Sequence, residues 1–241
     1  MLTSGNSFFN EGNFSGSIVG NSYRQNVVNT GSMTVTADGT SLIGGSFVLY
    51  NEAGAILSNS NSAVSGGENA IVNITRTSDS LAQVNRGTIT ATNGYSAIKT
   101  ASTGSNSNGK WIWNTDTGVI SGVSPNALLI DLGRGYNFAN AGTINVQGDG
   151  AVAISGGTTS YTVQLVNSGT INVGTAQGKA DGTNGTGLIG IKGNGRETTI
   201  NNAQSGVINV YADNSWAFGG QTKTIINNGE INLLCLSLIH I

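Results

Sequence analysis

Asn140-Ala141-Gly142-Thr143-Ile144-Asn145-Val146 and Asn167-Ser168-Gly169-Thr170-Ile171-Asn172-Val173 are one phrase written twice. Variants run along the whole chain. Asn85-Arg86-Gly87-Thr88-Ile89, Gly206-Val207-Ile208-Asn209-Val210 and Asn228-Gly229-Glu230-Ile231-Asn232-Leu233 are close copies. Weaker ones begin at Asn10-Glu11-Gly12, Asn29-Thr30-Gly31, Gly54-Ala55-Ile56 and Gly118-Val119-Ile120. The repeat glycines run from Gly12 to Gly229, 217 residues over eight intervals, or about 27 per repeat, with individual intervals of 19 to 37. Leucine-rich and ankyrin arrays hold their period closely. A coil that keeps its strands and lets its loops vary does not need to.

Each interval contains three short apolar runs. After Gly142 they are 143–146, 151–154 and 162–166. After Gly169 they are 169–173, 188–191 and 198–201, and after Gly206 they are 207–210, 216–218 and 224–226. Alternation along a strand turns Ile144 and Val146 inward and Thr143 and Asn145 outward. One such coil cannot bury its apolar side, but a stack of coils can. The pattern therefore predicts an all-β fold, a right-handed single-stranded parallel β-helix with three short strands per coil. About nine coils fill residues 1–233, a rod roughly 40 Å long at one strand spacing per coil. Ile144, Val146, Ile171, Val173, Ile208 and Val210 are expected in one core, and Trp216 and Phe218 beside them. Asn before the repeat glycine tolerates left-handed backbone and bonds neighbouring main chain, and stacked Asn can form a ladder. A β-sandwich has no reason to repeat one phrase from end to end.

Composition agrees. The 241 residues include 37 Gly and one Pro, charged residues make up 9%, and the formal net charge is −2. Disordered chains combine low hydrophobicity with high net charge, and 37% hydrophobic residues argue against that. The ten Lys and Arg are scattered singly, so nucleic acid is not an expected partner. No apolar stretch reaches transmembrane length, and Met1-Leu2-Thr3-Ser4-Gly5 does not resemble a signal peptide.

Catalytic chemistry finds few residues to use. The lone Cys235 and lone His240 sit in the tail 234–241. Nucleophilic triads need a His, and zinc sites need several His or Cys ligands. Gly104-Ser105-Asn106-Ser107-Asn108-Gly109 reads as a loop. The carboxylate candidates are Asp116, Asp131, Asp149, Asp181 and Asp213, with Asp131 best placed, in a strand near Arg134. The expectation is no catalytic residue, no metal and no cofactor. Two places could contact a ligand. Trp111 and Trp113 lie on one face of a strand, either plugging a wide coil or facing outward to stack on a sugar. The loop Gly174–Gly187, with Lys179 and Asp181, should protrude, and protruding loops often carry function.

The Asn-x-Gly-Thr-Ile-Asn-Val phrases resemble the passenger domains of bacterial autotransporters and the related two-partner-secreted haemagglutinins, over residues 10 to 233. The resemblance implies a structural or adhesive stalk at the surface of a Gram-negative bacterium, or secreted from it. Host glycans, matrix proteins or further copies of the chain are the implied partners. Membrane attachment would come only through a C-terminal barrel outside this sequence. The family motif is structural and transfers no catalytic residue. The tail from Leu234 is apolar and lacks Gly and Asn. Its last six residues resemble a translated sequencing adapter, so 234–241 is read as non-native. The alternative is a carbohydrate-active β-helix of tailspike or pectin-lyase type.

Overall fold

A computed structural model describes residues 7–75, 83–101, 110–133, 135–156 and 162–235, with backbone alone at 21–24. These residues form 24 strands and one short helix. Every strand pairing between coils is parallel. One full coil reads Thr143–Gln147, Val152–Gly156, Val163–Asn167, after which Thr170–Val173 lies directly on the first strand. The chain is a parallel β-helix.

The nine repeat phrases become the nine strands of one sheet, from Asn13–Ser15 to Glu230–Leu233, each paired with the copy before and after it. We call this the repeat face. The second face runs from Ala70–Ile74 to Trp216–Gln221, and the third from Gln83–Asn85 to Thr224–Asn227. Three strands per coil holds from Ile56 onward. In the first coils, Ile18–Asn29 and Ile43–Asn51 run unbroken through both the second and third faces and merge them into one 15-stranded sheet.

Period two decides what is inside. Ile144, Val146, Ile171, Val173, Ile208 and Val210 are all buried, as the alternation predicts. They share a single core with Ile120, Ile154, Leu165 and Ile200. Phe218 packs against this core as expected, though half-buried because its strand is the last of the second face and no described coil covers it; Trp216, half-buried on the same strand, is not among the side chains packed on the core.

The Asn before the repeat glycine forms a ladder. Asn10, Asn29, Asn51, Asn85, Asn114, Asn140, Asn167, Asn202 and Asn227 stack at one corner. Each Nδ2 donates to the Oδ1 of the next, at 2.7 to 2.9 Å. The same Nδ2 also donates within its own corner, to the carbonyl of Gly87, Gly118, Gly142, Gly169 or Gly206. Corners come in two lengths. Asn140-Ala141-Gly142 is short, whereas Asn114-Thr115-Asp116-Thr117-Gly118 is longer by two and closes with Gly118 N–H donating to the Thr115 carbonyl. Two assignments from the sequence shift by one. Asn227, not Asn228, is the last rung. Ala55, not Gly54, occupies the repeat-glycine position, since Ala55 carbonyl accepts from Thr88 as Gly87 carbonyl accepts from Val119.

Closeness demands glycine at seven of the nine repeat positions, Gly12 and Ala55 being the exceptions: a Cβ on Gly142 would stand 2.1 Å from the Gly118 carbonyl oxygen. Left-handed backbone belongs to a different corner. Gly94, Asn126, Gly150, Gly187 and Asn214 hold φ between +51° and +83° just before the second-face strands. Only Gly and Asn sit in this column, because an ordinary side chain meets the following carbonyl there.

The ladder generates a prediction. Asn140→Ala removes two rungs and leaves buried amide groups without partners, so urea unfolding should show a loss of about 2–4 kcal/mol. Asn209→Ala, on the outward side of the repeat face, should lose less than about 1 kcal/mol. Equal losses at the two sites would mean that the buried ladder does not brace the stack.

Candidate functional site

The two tryptophans face outward. In Lys110–Asn114, Lys110, Ile112 and Asn114 point into the coil, with Lys110 over the Tyr136 ring, so Trp111 and Trp113 must point away. Their ring centroids are 5.3 Å apart and tilted by 31°. Trp113 is 42% exposed and Trp111 is half-buried. The indoles therefore lean on each other, leaving mainly Trp113 open to a partner. Its in-register neighbours on the third face are Val84 and Ala139.

The segment Gly174–Gly187 does more than protrude. It contains a helix, Ala176–Asp181, where the sequence suggested only a loop. Thr175 caps its start by accepting from Gly178 N–H through Oγ1, and Gly182 ends it in the left-handed conformation. Asn184, buried, ties the segment together. Its Oδ1 accepts from Thr175 N–H and Gln147 Nε2, and its Nδ2 donates to the Thr175 carbonyl. Thr186 binds the Asp149 carboxylate through its backbone N–H. The helix is thereby held beside the outward surface of the repeat face.

A cleft of about 340 Å³ opens between them. Its walls include Ser121, Asn145, Gln147, Asn172 and Tyr211, with Thr175 and Ala176 from the overhanging segment. Past Val123 and Tyr211 it continues into a second hollow of about 600 Å³ that reaches Asp149, Lys179 and Asp213. Lys179 thus lines the hollow, with its ammonium donating to the Leu234 carbonyl. Asp181 does not line it; this exposed carboxylate accepts from Gln177 one turn earlier. Two of the four residues singled out from the sequence therefore form the outward indole pair, one lines the hollow that adjoins the cleft and one lies off both. Tyr211, Asn145, Asn172 and Gln147 were not singled out. The outward Asn of each Thr-Ile-Asn-Val was the signal for the amides, whereas nothing local marks Tyr211.

Asp131 lies on the second face, between Lys99 and Ser155 in adjacent coils. Burial pushes its carboxyl above the usual range, and the neighbouring Lys99 charge pulls partly back. Among the described residues no three His, Cys, Asp or Glu gather in metal-binding geometry. Arg134, the loop 104–109, His240 and the tail beyond Cys235 lie outside the described residues.

Residues 1–237 match the family described as the BigA fourth domain. Over 228 residues, 95% of its length, the chain is 72% identical to a Salmonella typhimurium strain LT2 protein that carries the name of a surface-exposed virulence protein, BigA. It spans only 12% of that relative. No solved structure matches the chain.

Asp131 makes a prediction with a definite sign. A carboxyl whose folded-state value is raised costs stability once ionised. The cost is absent below the unfolded value and grows as pH rises through the folded value. Asp131→Asn should therefore raise the melting temperature at pH 7 and leave it nearly unchanged at pH 3. A lower melting temperature at pH 7 would show that the Lys99 contact outweighs burial.

Proposed function

The chain belongs to the BigA fourth-domain family, and from that premise we propose that it is a stiff section of a bacterial surface protein, a stalk of autotransporter-passenger type with adhesive surfaces along its length. The observation that carries the reading is the unbroken stack of nine repeat strands, braced by a buried amide ladder from Asn10 to Asn227. Solenoids of this kind gain stability from neighbour to neighbour and resist bending through continuous strand pairing. Eight strand spacings give a rise of about 38 Å, enough to carry a binding surface away from a membrane. The relative's name, which speaks of surface exposure and virulence, supports a place at the cell surface.

The mechanism is display. Two features of the rod's surface offer themselves for contact: the outward Trp111–Trp113 pair and the braced segment 174–187. Host glycans and matrix proteins are the partners that such surfaces fit. We take the chain to act without catalysis. A polysaccharide-degrading β-helix works through paired carboxylates or a carboxylate-held cation, and Asp131, the best sequence candidate, has Lys99 and Ser155 as its in-register neighbours.

Two outcomes follow. Beads coated with the chain should bind cultured epithelial cells saturably, and should lose at least half of that binding when 174–187 is replaced by a short Gly-Ser link. Beads that bind no better than albumin-coated ones would remove adhesion from the proposal. Incubation with pectin or bacterial polysaccharide should release no new reducing or unsaturated ends; release that is abolished by Asp131→Asn would make the chain an enzyme instead.

A further inference from the structure

We propose that the cleft between the outward repeat face and the segment 174–187 binds a neutral glycan, with Tyr211 as the stacking surface and Asn145, Asn172 and Gln147 as the hydrogen-bonding amides. The inference rests on the adhesive reading above and names the ligand class for one of its surfaces.

The amides come first. Outside the rod a second Asn ladder runs along the repeat face. Asn172 Nδ2 donates to Asn145 Oδ1 at 2.7 Å, Asn209 to Asn172 at 2.9 Å and Asn232 to Asn209 at 3.0 Å, while Asn145 donates to Ser121 Oγ at 3.2 Å. A primary amide has two N–H donors and an oxygen with two lone pairs. Each ladder bond uses one of each, so every rung keeps a donor and an acceptor for something outside. These pairs recur at one strand spacing, about 4.8 Å. A glycan offers hydroxyl groups that both donate and accept, ring after ring. An extended peptide advances about 3.4 Å per residue and turns alternate groups away, so it cannot match successive rungs.

Apolar and aromatic side chains stand opposite, beside the hydroxyls of Ser121 and Thr175. Val123, 53% exposed, Ala176 and the half-buried Tyr211 ring share the cleft with the amides. A pyranose has the same two-sided character: a face of C–H groups suited to an aromatic ring, and a rim of hydroxyls. No Asp, Glu, Lys, Arg or His lines this cleft. The adjoining hollow adds Asp149 and Asp213 against the single Lys179, whose ammonium is already engaged by the Leu234 carbonyl. Such surroundings favour an uncharged chain over a sulfated or uronic one.

The cleft is also preformed. A Cβ on Gly178 would stand 2.2 Å from Asn184 Oδ1 and 2.4 Å from Gln147 Nε2, so only glycine lets the helix approach this closely. With Asn184 bonded on both sides, little ordering remains to be done on binding, and a pre-organised site loses less affinity to entropy.

The test is calorimetry and saturation-transfer NMR on the full chain. The neutral probes are cellotetraose, chitotetraose and lacto-N-neotetraose; the anionic ones are tetragalacturonate and a heparin tetrasaccharide. At least one neutral probe should bind saturably, and more tightly than either anionic one. Tyr211→Ala should weaken it at least tenfold, Tyr211→Phe less than threefold, and Trp113→Ala not at all. Ser121→Trp, which fills the cleft from an outward position, should also abolish it. No neutral binding, tighter anionic binding, or binding unchanged by both Tyr211→Ala and Ser121→Trp would overturn the assignment. Beads that still hold cells when the chain binds no neutral probe would sink this inference alone. Wild-type beads that never hold cells would sink the adhesive reading itself.

Discussion

Every coil depends on one hydrogen bond between asparagine side chains. Where the chain turns from the third face onto the repeat face, it buries a polar corner, and a buried polar group without a partner costs about 1–3 kcal/mol. Asn10, Asn85, Asn114, Asn140, Asn167 and Asn202 of the inner ladder each satisfy the carbonyl of their own corner glycine and donate to the Asn of the next coil. The two requirements coincide only when successive coils stack in one register. The ladder therefore ties corner geometry to strand pairing. A coil shifted by one residue would misplace its amide and turn its apolar side chains outward together.

From that register the three faces follow. Inward positions are mostly Ile, Val, Leu and Phe, with Met33, Tyr95, Tyr136 and several Ala among them, and outward positions are free to differ. The repeat face carries Ser121, Asn145, Asn172 and Asn209; the second face carries Lys99, Asp131 and Lys192; the third carries Val84, Trp113 and Val166. The tryptophans illustrate the constraint. With Lys110, Ile112 and Asn114 committed to the inside, period two leaves Trp111 and Trp113 no position but the surface.

Corners are where the rod accepts additions. The Gly142 and Gly169 corners take one residue between Asn and Gly, and the Gly118 and Gly206 corners take three, yet the inner ladder is not interrupted. Between the repeat and second faces, the same tolerance admits a capped helix and its Asn184 brace. Functional surface can be added at such points because strand pairing, not the connection, supplies the stability.

Much of this was legible in the sequence. Period two and the recurring Gly-x-Ile-x-Val specified the parallel stack, the nine repeat strands and the inward set from Ile144 to Val210, because strand geometry reads alternation directly. Asn140 and Asn167 were visible as rungs, two residues before their glycines. Asn51, Asn114 and Asn202 were not, since the longer corners place them four residues before the equivalent position. The unbroken strands 18–29 and 43–51 were hidden too, because the apolar pattern does not say where a strand bends. The cleft lay furthest from view. Ser121, Asn145, Asn172 and Tyr211 come from four successive coils, 90 residues apart from first to last. Sequence determines which side chains point outward from each strand. Only stacking brings outward side chains from separate coils together, because the distance between them is set by hydrogen bonds between strands and not by the length of chain that joins them.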